Sequence, residues 1–156
     1  MSRNDYTGGA KTAAVFIGGV VLVGMLLGYL NVPGEWYERL AKPSFNPPNY
    51  VFAPVWIALY CLVGAAGART WSRAPHSAAM LVWFAQMVLN FLWSPVFFSL
   101  HLIGWGLVII VSLLISIIMF IALQLKKDRI AALMFFPYCL WVAFATALNW
   151  SIYRLN

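Results

Sequence analysis

Charge is what this sequence has least of. Asp, Glu, Lys and Arg together make up 9% of its 156 residues, whereas hydrophobic residues make up 63%. A water-soluble domain of this size carries roughly a quarter charged residues, because its surface has to be hydrated. The composition therefore excludes an ordinary soluble domain, and the length predicts a single domain over 1–156 that lies mostly in lipid.

Cysteine and histidine are also scarce, and this excludes several kinds of site. Cys61 and Cys139 have no ligand-like spacing, so the sequence predicts neither a disulfide framework nor a metal site. His76 and His101 fall in predicted turns, where a lone histidine is more often solvated than catalytic. The net charge of +6 suits a bilayer surface. Without a basic stripe that alternates with aromatic residues, it predicts no nucleic-acid partner.

The charge-free stretches of the chain are long enough to cross a membrane. They contain 23, 26, 52 and 24 residues, at 12–34, 43–68, 74–125 and 130–153. A spanning helix needs about 20 apolar residues, so the longest stretch holds two spans and each of the others holds one. The sequence therefore predicts an all-α, five-helix membrane bundle. Its helices are expected at about 13–30, 51–68, 78–98, 103–124 and 131–152.

The basic residues predict how the bundle sits in the membrane. If the N-terminus is inside, the inner side holds seven of them, Arg3, Lys11, Arg69, Arg73, Lys126, Lys127 and Arg129. The outer side then holds three, Arg39, Lys42 and Arg154. This bias predicts an N-inside protein of a bacterial inner membrane. A cleaved signal peptide is the alternative for the first stretch, but 30–33 lacks a small-x-small cleavage site.

The connection at 31–50 differs from a flexible tether. Five of the eight prolines lie between Pro33 and Pro54, together with several aromatic residues. Proline fixes φ and restrains the residue before it, so this loop is predicted to be stiff and extended. We expect it to fold over the helix ends as a cap. The alternative is an aromatic belt at the membrane interface.

The predicted spans contain no charged residue, which argues against a pump or an ion-coupled transporter. What they do contain is three stripes of aromatic and small polar residues at helical spacing. These are Trp56 and Tyr60; Trp83, Gln86, Asn90 and Trp93; and Tyr138, Trp141, Ala145 and Asn149. An unpaired amide in hydrocarbon is costly, so the stripes are predicted to converge. They either hold the bundle together or line a pocket.

Small residues in the first two spans predict close helix packing. Gly24 and Gly28 form a G-x-x-x-G, and 64–68 is a run of Gly and Ala. Such spacing lets two backbones approach closely in lipid. Packing within one chain is the simplest explanation for both segments.

Three ordered blocks of residues point to a family. The first is Trp36-Tyr37-x-x-Leu40-x-Lys42-Pro43-Ser44-Phe45-Asn46-Pro47-Pro48, followed by Pro54-Val55-Trp56-x-x-Leu59-Tyr60. The second is Gln86-x-x-Leu89-Asn90-x-x-Trp93-Ser94-Pro95-x-Phe97-Phe98. The third is Pro137-Tyr138-x-x-Trp141-x-x-Phe144-Ala145-Thr146-x-Leu148-Asn149. From about Gly34 to the C-terminus, their order and spacing resemble the TspO/MBR family, also called translocator proteins or peripheral benzodiazepine receptors.

The resemblance implies a five-helix bundle whose first loop caps a cavity. Family members bind tetrapyrroles such as protoporphyrin IX and haem, sterols, and synthetic isoquinoline carboxamides and benzodiazepines. The ligand-binding positions that it implies are Trp56, Tyr60, Asn90, Trp93, Trp105, Trp141 and Ala145. The cap residues are Trp36, Arg39, Lys42 and Pro47. The resemblance also implies a homodimer, no required cofactor, and an outer membrane as the alternative location.

One departure from the family lowers the weight of a sterol ligand. Mammalian relatives end the fifth helix in a proposed cholesterol motif, with a tyrosine between leucine and arginine. Here Trp150 stands where that tyrosine would be, and Tyr153 directly precedes Arg154. Such motifs are weak patterns even when they are intact.

The leading hypothesis from the sequence is a tetrapyrrole receptor that regulates porphyrin levels or a stress response. The propionate groups of the bound tetrapyrrole are expected to pair with Arg39 and Lys42. The first alternative is a light- and oxygen-dependent porphyrin oxidase that uses Trp56 and Trp141, the positions linked to this breakdown in some bacterial relatives. The second is a transporter of tetrapyrroles or lipids. The third is a ligand-free scaffold, in which the aromatic stripes would pack fully against one another.

Overall fold

The computed structural model describes the backbone of residues 3–156 and the side chains from residue 9 onward. Its helices are α1 Arg3–Leu30, α2 Glu35–Arg39, α3 Phe52–Arg73, α4 Ala78–Ser94, α5 Ile103–Leu125 and α6 Arg129–Leu155. Five of them are long and apolar enough to span a membrane. The spans are Gly9–Leu30, Asn49–Arg73, Ala78–Ser99, Ile103–Leu125 and Arg129–Leu155. The predicted all-α, five-span bundle is thereby confirmed.

Three helices are longer than the sequence predicted. α1 begins at Arg3 instead of 13, α3 continues to Arg73 instead of ending at 68, and α6 continues to Leu155 instead of 152. The predicted bounds stopped near the first basic residue, because charge is costly in hydrocarbon. A helix does not have to end there, because its last turn can lie in the interfacial region of the bilayer.

Small residues of α3 set the distance between the first two spans and position α4. α1 packs along α3, and a Cβ atom on Gly64 would lie 2.6 Å from the Ile17 Cα. On the other side, Gly67 leaves space for the Trp83 indole, whose Nε1 donates to the Val63 carbonyl at 3.0 Å. The run of Gly and Ala in α3 therefore serves packing within one chain, as predicted.

A proline ends α4 at Ser94, four residues before the predicted end of this helix at 98. Pro95 has no N–H to donate, and the chain continues through a wider π turn over Pro95–Ser99. The Leu100 amide closes this turn by donating to the Pro95 carbonyl at 3.0 Å. His101 then has a φ of 58°, in the left-handed region, which reverses the chain before α5.

The loop at 31–50 is fastened to the helix ends beneath it. Tyr37 is buried, and its ring lies 5.3 Å from that of Phe98 in an edge-on contact. Trp36 stacks on His101 at 4.2 Å between ring centroids. At the C-terminus, the Asn156 amide both accepts from and donates to the Ala41 backbone at 3.0 Å. The loop therefore lies across this end of the bundle, while its role as a functional cap stays a prediction.

The loop also contains structure that the sequence analysis did not predict. Residues Glu35–Arg39 form the short helix α2, preceded by Gly34 in an extended conformation. Glu35 and Glu38 lie in its first turn, where the partial positive charge of a helix N-terminus favours acidic side chains. The prolines on either side of α2 favour extended turns, so the sequence pattern does not indicate a helix in this segment.

The opposite end of the bundle, which we call the charged end, consists of residues 69–77 and 126–129. Arg69 Nε donates to Asp128 Oδ1 at 2.8 Å, and Arg73 lies 3.3 Å from Oδ2. Asp128 also caps α6 by accepting from the Ala131 amide at 3.3 Å. Just inside, Gln124 Nε2 donates to Thr70 Oγ1 at 2.7 Å. These contacts hold α3, α5 and α6 together.

The Asp128 carboxyl carries its charge in spite of burial. Burial acts to raise its pKa, but the hydrogen bonds from Arg69 and the Ala131 amide, and the charges of Arg69 and Arg73, outweigh that effect. The pKa of Asp128 therefore lies below its ordinary value of 3.8. The carboxylate is ionised throughout the physiological range.

Candidate ligand-binding cavity

A cavity of about 510 Å³ opens among α1, α3, α4 and α6 at the loop end. We use "loop end" for the end of the bundle covered by 31–50. Drug-sized ligands occupy sites of about 300–1,000 Å³ with mostly apolar walls. Of the residues whose side chains the structure describes, none that lines this cavity is Asp, Glu, Lys, Arg or His. The cavity can therefore accept a large, flat, apolar molecule.

Six of the seven ligand-binding positions implied by the family resemblance line this cavity. They are Trp56, Tyr60, Asn90, Trp93, Trp141 and Ala145. The structure thus brings residues of three helices to one wall, although their role in ligand binding stays a prediction. The sequence left two roles open for the stripes, holding the bundle together and lining a pocket. The stripes do both here.

Trp105 is the exception, and the structure corrects its placement. Its side chain is 65% exposed and lies outside the cavity lining. α5 packs into the bundle through Gly106, where a Cβ atom would lie 3.0 Å from the Phe97 ring. Adjacent helical positions differ by about 100° in direction, so residue 105 faces away when residue 106 faces inward. Trp105 belongs to the lipid-facing surface.

A chain of hydrogen bonds forms the floor of the cavity. Tyr60 donates to Asn90 Oδ1 at 3.2 Å, and Asn90 Nδ2 donates to the Tyr138 hydroxyl at 2.8 Å. Tyr138 in turn donates to Gln86 Oε1 at 3.0 Å. The chain links α3, α4 and α6 and pairs both polar side-chain atoms of Asn90, whereas the Gln86 Nε2 is buried without a partner. This confirms that the three stripes converge.

A second set of polar contacts holds the helices nearer the loop. Trp93 Nε1 donates to Asn149 Oδ1 at 3.1 Å, and Asn149 Nδ2 donates to the Ile103 carbonyl at 3.2 Å. The Trp93 ring also stacks on Phe97, with centroids 5.2 Å apart. The contacts fix Trp93 in one orientation, so the wall that it forms is preorganised.

Trp141 differs from the other polar groups of the wall. Its Nε1 atom is buried and has no hydrogen-bond partner. The indole is held by an edge-on contact with Phe52, at 5.8 Å, and by Phe144, at 5.6 Å. Almost all buried N–H groups in proteins are paired. This N–H is therefore an unpaired donor that protein atoms cover, although the Trp141 ring lines the cavity.

The sequence analysis missed the contribution of α1. Gly24 and Gly28 both line the cavity. A Cβ atom on Gly24 would collide with the Tyr60 ring, whereas one on Gly28 would meet no atom within 4 Å. Gly24 thus serves close packing, as predicted for the G-x-x-x-G, but Gly28 leaves open space. One turn apart on the same helix face, the two glycines have different consequences for the cavity.

The pairing of Arg39 and Lys42 with a bound ligand stays a prediction, and the structure holds both residues in other contacts. Neither residue lines the cavity. Arg39 Nη2 pairs with Glu35 Oε2 at 3.0 Å along α2, and both side chains are exposed. Lys42 Nζ donates to the Glu38 carbonyl at 3.1 Å and lies 4.6 Å from the centre of the Tyr37 ring. Short contacts within the loop hold both cations away from the cavity.

Other loop residues form the cavity mouth. They are Asn31, Val32, Pro33, Tyr37 and Asn49. Of the predicted cap residues, Trp36 lies on His101 and Pro47 accepts a hydrogen bond from Asn46 Nδ2 at 3.2 Å. The cap residues therefore hold the loop in place without lining the cavity.

Comparison with known proteins identifies relatives over most of the chain. The model of the TspO/MBR family matches residues 14–154. Protein CrtK of Rhodobacter capsulatus is 39% identical over 128 residues, which cover 80% of this chain and 80% of that protein. Tryptophan-rich protein TspO of Archaeoglobus fulgidus is 41% identical over 123 residues, or 78% of this chain and 80% of its own length. The human translocator protein is 32% identical over 142 residues, covering 86% and 84%.

Proposed function

We propose, because this chain belongs to the TspO/MBR family of integral membrane proteins, that it is a receptor whose cavity binds a tetrapyrrole. The observation that carries the proposal is the uncharged cavity at the loop end, with aromatic side chains from α3, α4 and α6 in its wall. A flat macrocycle gains most from such a wall, because aromatic rings bury a large area and stack.

The polar groups of the wall are few, and they define the kind of ligand. The Trp141 N–H is unpaired but covered by protein atoms, so it can donate to a ligand only if the indole turns. The carboxylates of a porphyrin find no cation among the lining residues that the structure describes. Burying an unpaired carboxylate is very costly. We therefore place the propionates at the mouth of the cavity, in contact with water.

The wall also bears on the choice between protoporphyrin IX and haem. Haem iron in proteins is usually held by histidine, cysteine, methionine or tyrosine. Histidine and cysteine are missing from the described lining. Tyr60 already donates its hydroxyl proton to Asn90. Met25, Tyr29 and Tyr37 also line the cavity, so the lining contains residue types that can ligate iron and does not distinguish haem from the free-base porphyrin.

A fluorescence titration tests the proposal. Protoporphyrin IX is added to the purified protein in detergent, and quenching of tryptophan fluorescence is followed in the native protein and in Trp141→Phe. The substitution replaces an indole of the cavity wall with a smaller ring, and an aromatic contact contributes about 0.5–1.5 kcal/mol, so the affinity should fall roughly two- to tenfold.

The exposed Trp105 supplies a matched control. Trp105→Phe makes the same chemical change on the lipid-facing surface of α5. It should leave the affinity for protoporphyrin unchanged. If both variants bind equally well, or if Trp105→Phe is the weaker binder, the porphyrin does not occupy this cavity.

Light-dependent porphyrin oxidation is the second candidate function. It is favoured by the position of Trp56 and Trp141, which line the same cavity and would both face a bound ring. Illumination in air distinguishes the two functions. Catalysis requires many product molecules per protein, with turnover lost in Trp141→Phe, whereas a receptor would at most bleach stoichiometrically. A ligand-free scaffold is disfavoured, because its aromatic stripes should leave no space between them.

A further inference from the structure

The two ends of the bundle differ in how their charges are balanced. At and near the charged end, among residues 9–156, six basic residues face one acidic residue: Lys11, Arg69, Arg73, Lys126, Lys127 and Arg129 against Asp128. The loop end has three basic and two acidic residues: Arg39, Lys42 and Arg154 against Glu35 and Glu38. Arg3, assigned to the inner side above, lies outside the residues whose side chains are described.

The acidic residue of the charged end is already paired. Both Asp128 oxygens contact Arg69, at 2.8 and 2.7 Å, and Arg73 adds a further contact at 3.3 Å. In the part of the chain whose side chains are described, Lys126, Lys127 and Arg129 have no carboxylate within 4.0 Å. All three are exposed. The charged end therefore presents a surplus of positive charge to its surroundings.

These cations lie at the depth of lipid phosphates. Lys126 directly follows the α5 span, which ends at Leu125, and Arg129 is the first residue of the α6 span. Trp71, two residues before the end of the α3 span, is 41% exposed. Tryptophan and basic residues at helix ends are typical of the headgroup region. A phosphate of the adjacent leaflet thus reaches the cations without leaving the membrane.

We propose that the charged end binds the phosphodiester of an anionic phospholipid through Lys126, Lys127, Arg129 and the outward-facing part of Arg73. The Arg69–Asp128 pair holds the α5–α6 turn against α3, so that the cations stay together. Arginine and lysine near an anionic membrane surface favour acidic lipids, and basic pockets between helices bind their headgroups. This inference does not depend on the tetrapyrrole proposal, because the site lies at the opposite end of the bundle.

The test measures which lipid the protein retains. The full chain is reconstituted in nanodiscs with equal amounts of phosphatidylcholine and phosphatidylglycerol, and retained lipids are counted by native mass spectrometry. Each basic residue near an anionic surface contributes about a fivefold preference. We therefore expect retention of phosphatidylglycerol over phosphatidylcholine by at least about tenfold. Lys126→Gln with Lys127→Gln and Arg129→Gln leaves only Arg73 of the proposed site and should reduce the preference to about fivefold or less.

A matched variant at the loop end controls for overall charge. Arg39→Gln with Lys42→Gln and Arg154→Gln also removes three positive charges, and it should leave the preference unchanged. Lys126→Arg with Lys127→Arg should retain it, and circular dichroism checks that each variant is helical. An equal loss in the loop-end variant, or no preference in the native protein, overturns the proposal.

Competition with inorganic phosphate distinguishes a lipid site from a site for a free anion. At matched ionic strength, phosphate should displace no more phosphatidylglycerol than chloride does, because the lipid is held in the membrane next to the cations. If phosphate displaces the lipid while chloride does not, the charged end is a site for soluble phosphate and the lipid proposal is wrong.

Discussion

At the loop end, the helices stand apart around a cavity of about 510 Å³, whereas at the charged end α3, α5 and α6 are held together by ion pairs and hydrogen bonds. The polar groups differ accordingly. Neutral amides and phenols line the cavity, while a buried carboxylate holds two arginines at the other end. Neutral polar groups can satisfy one another's hydrogen bonds and still leave apolar space beside them. A pair of full charges does not tolerate apolar space beside it.

Between the two ends, the bundle is densely packed. The rings of Phe120 and Phe135 are fully buried and stack at 4.0 Å between α5 and α6. The cavity lined by α1, α3, α4 and α6 therefore lies in the loop half of the molecule, and this ring pair lies in the other half. We infer that the closed half serves as the rigid base that keeps the open half in shape, and four predictions test this division.

The largest effect is expected from breaking the closed half. Asp128→Ala leaves Arg69 without its partner and removes the cap of α6. Removing one member of a buried ion pair typically costs about 3–5 kcal/mol. Because Arg69 is partly exposed, we expect about 3 kcal/mol, measured as a large fall in the melting temperature in detergent. If melting is unaffected, the ion pair does not stabilise the closed half.

The pH dependence of the same pair gives an independent measurement. The pKa of Asp128 in the folded protein lies below its ordinary value of 3.8. Its contribution to stability is therefore complete above about pH 4 and is lost as the pH falls through the folded pKa. The melting difference between the native protein and Asp128→Asn should be large at neutral pH and should shrink on acidification. A difference that stays constant would contradict this assignment.

An intermediate effect is expected from filling the open half. Gly28→Leu places a side chain where the structure has open space, so the fold should survive while the cavity becomes smaller. Forcing extra carbons against a ligand costs about 1–3 kcal/mol, so protoporphyrin affinity should fall roughly tenfold. Fluorescence titration measures it. Gly18→Leu is the matched control, because Gly18 also has open space around it but does not line the cavity. Equal losses in both variants would mean that α1 affects binding indirectly.

The smallest effect is expected at the loop cations. Arg39→Gln with Lys42→Gln should change protoporphyrin affinity less than about twofold, because their contacts lie within the loop. The measurement is the same titration at low salt, where electrostatic attraction is strongest. A large loss would show that the loop rearranges on binding and brings the cations to the propionates.

Much of this fold could be predicted from where charge is missing, because the cost of burying charge in lipid acts on every residue of a span. The convergence of the stripes followed from a similar argument: an amide such as Asn90 has to face another helix. Trp105 carries no such requirement. Tryptophan occurs both against lipid and in protein cores, so residue type alone could not place Trp105.

Features without a polar signal escaped prediction. Gly28 enlarges the cavity by lacking a side chain, and only the neighbouring helices determine that the space stays open. Arg39 and Lys42 are a different case, because they do carry a polar signal. Their charge suggested pairing with a ligand, but in the structure they contact Glu35 and the Glu38 carbonyl, which are close to them in the sequence. Local partners of this kind depend on α2, which the prolines around it obscured.

The neutrality of the cavity wall has a consequence for how the protein would respond to its surroundings. Mobile ions weaken attraction between exposed charges, but they have no effect on contacts in which no formal charge takes part. Ligand binding in the cavity would thus be insensitive to the ionic composition of the medium. The binding of anionic lipid at the charged end, in contrast, would weaken as salt rises. A rise in salt would therefore change how this protein sits among its lipids without changing what it has bound.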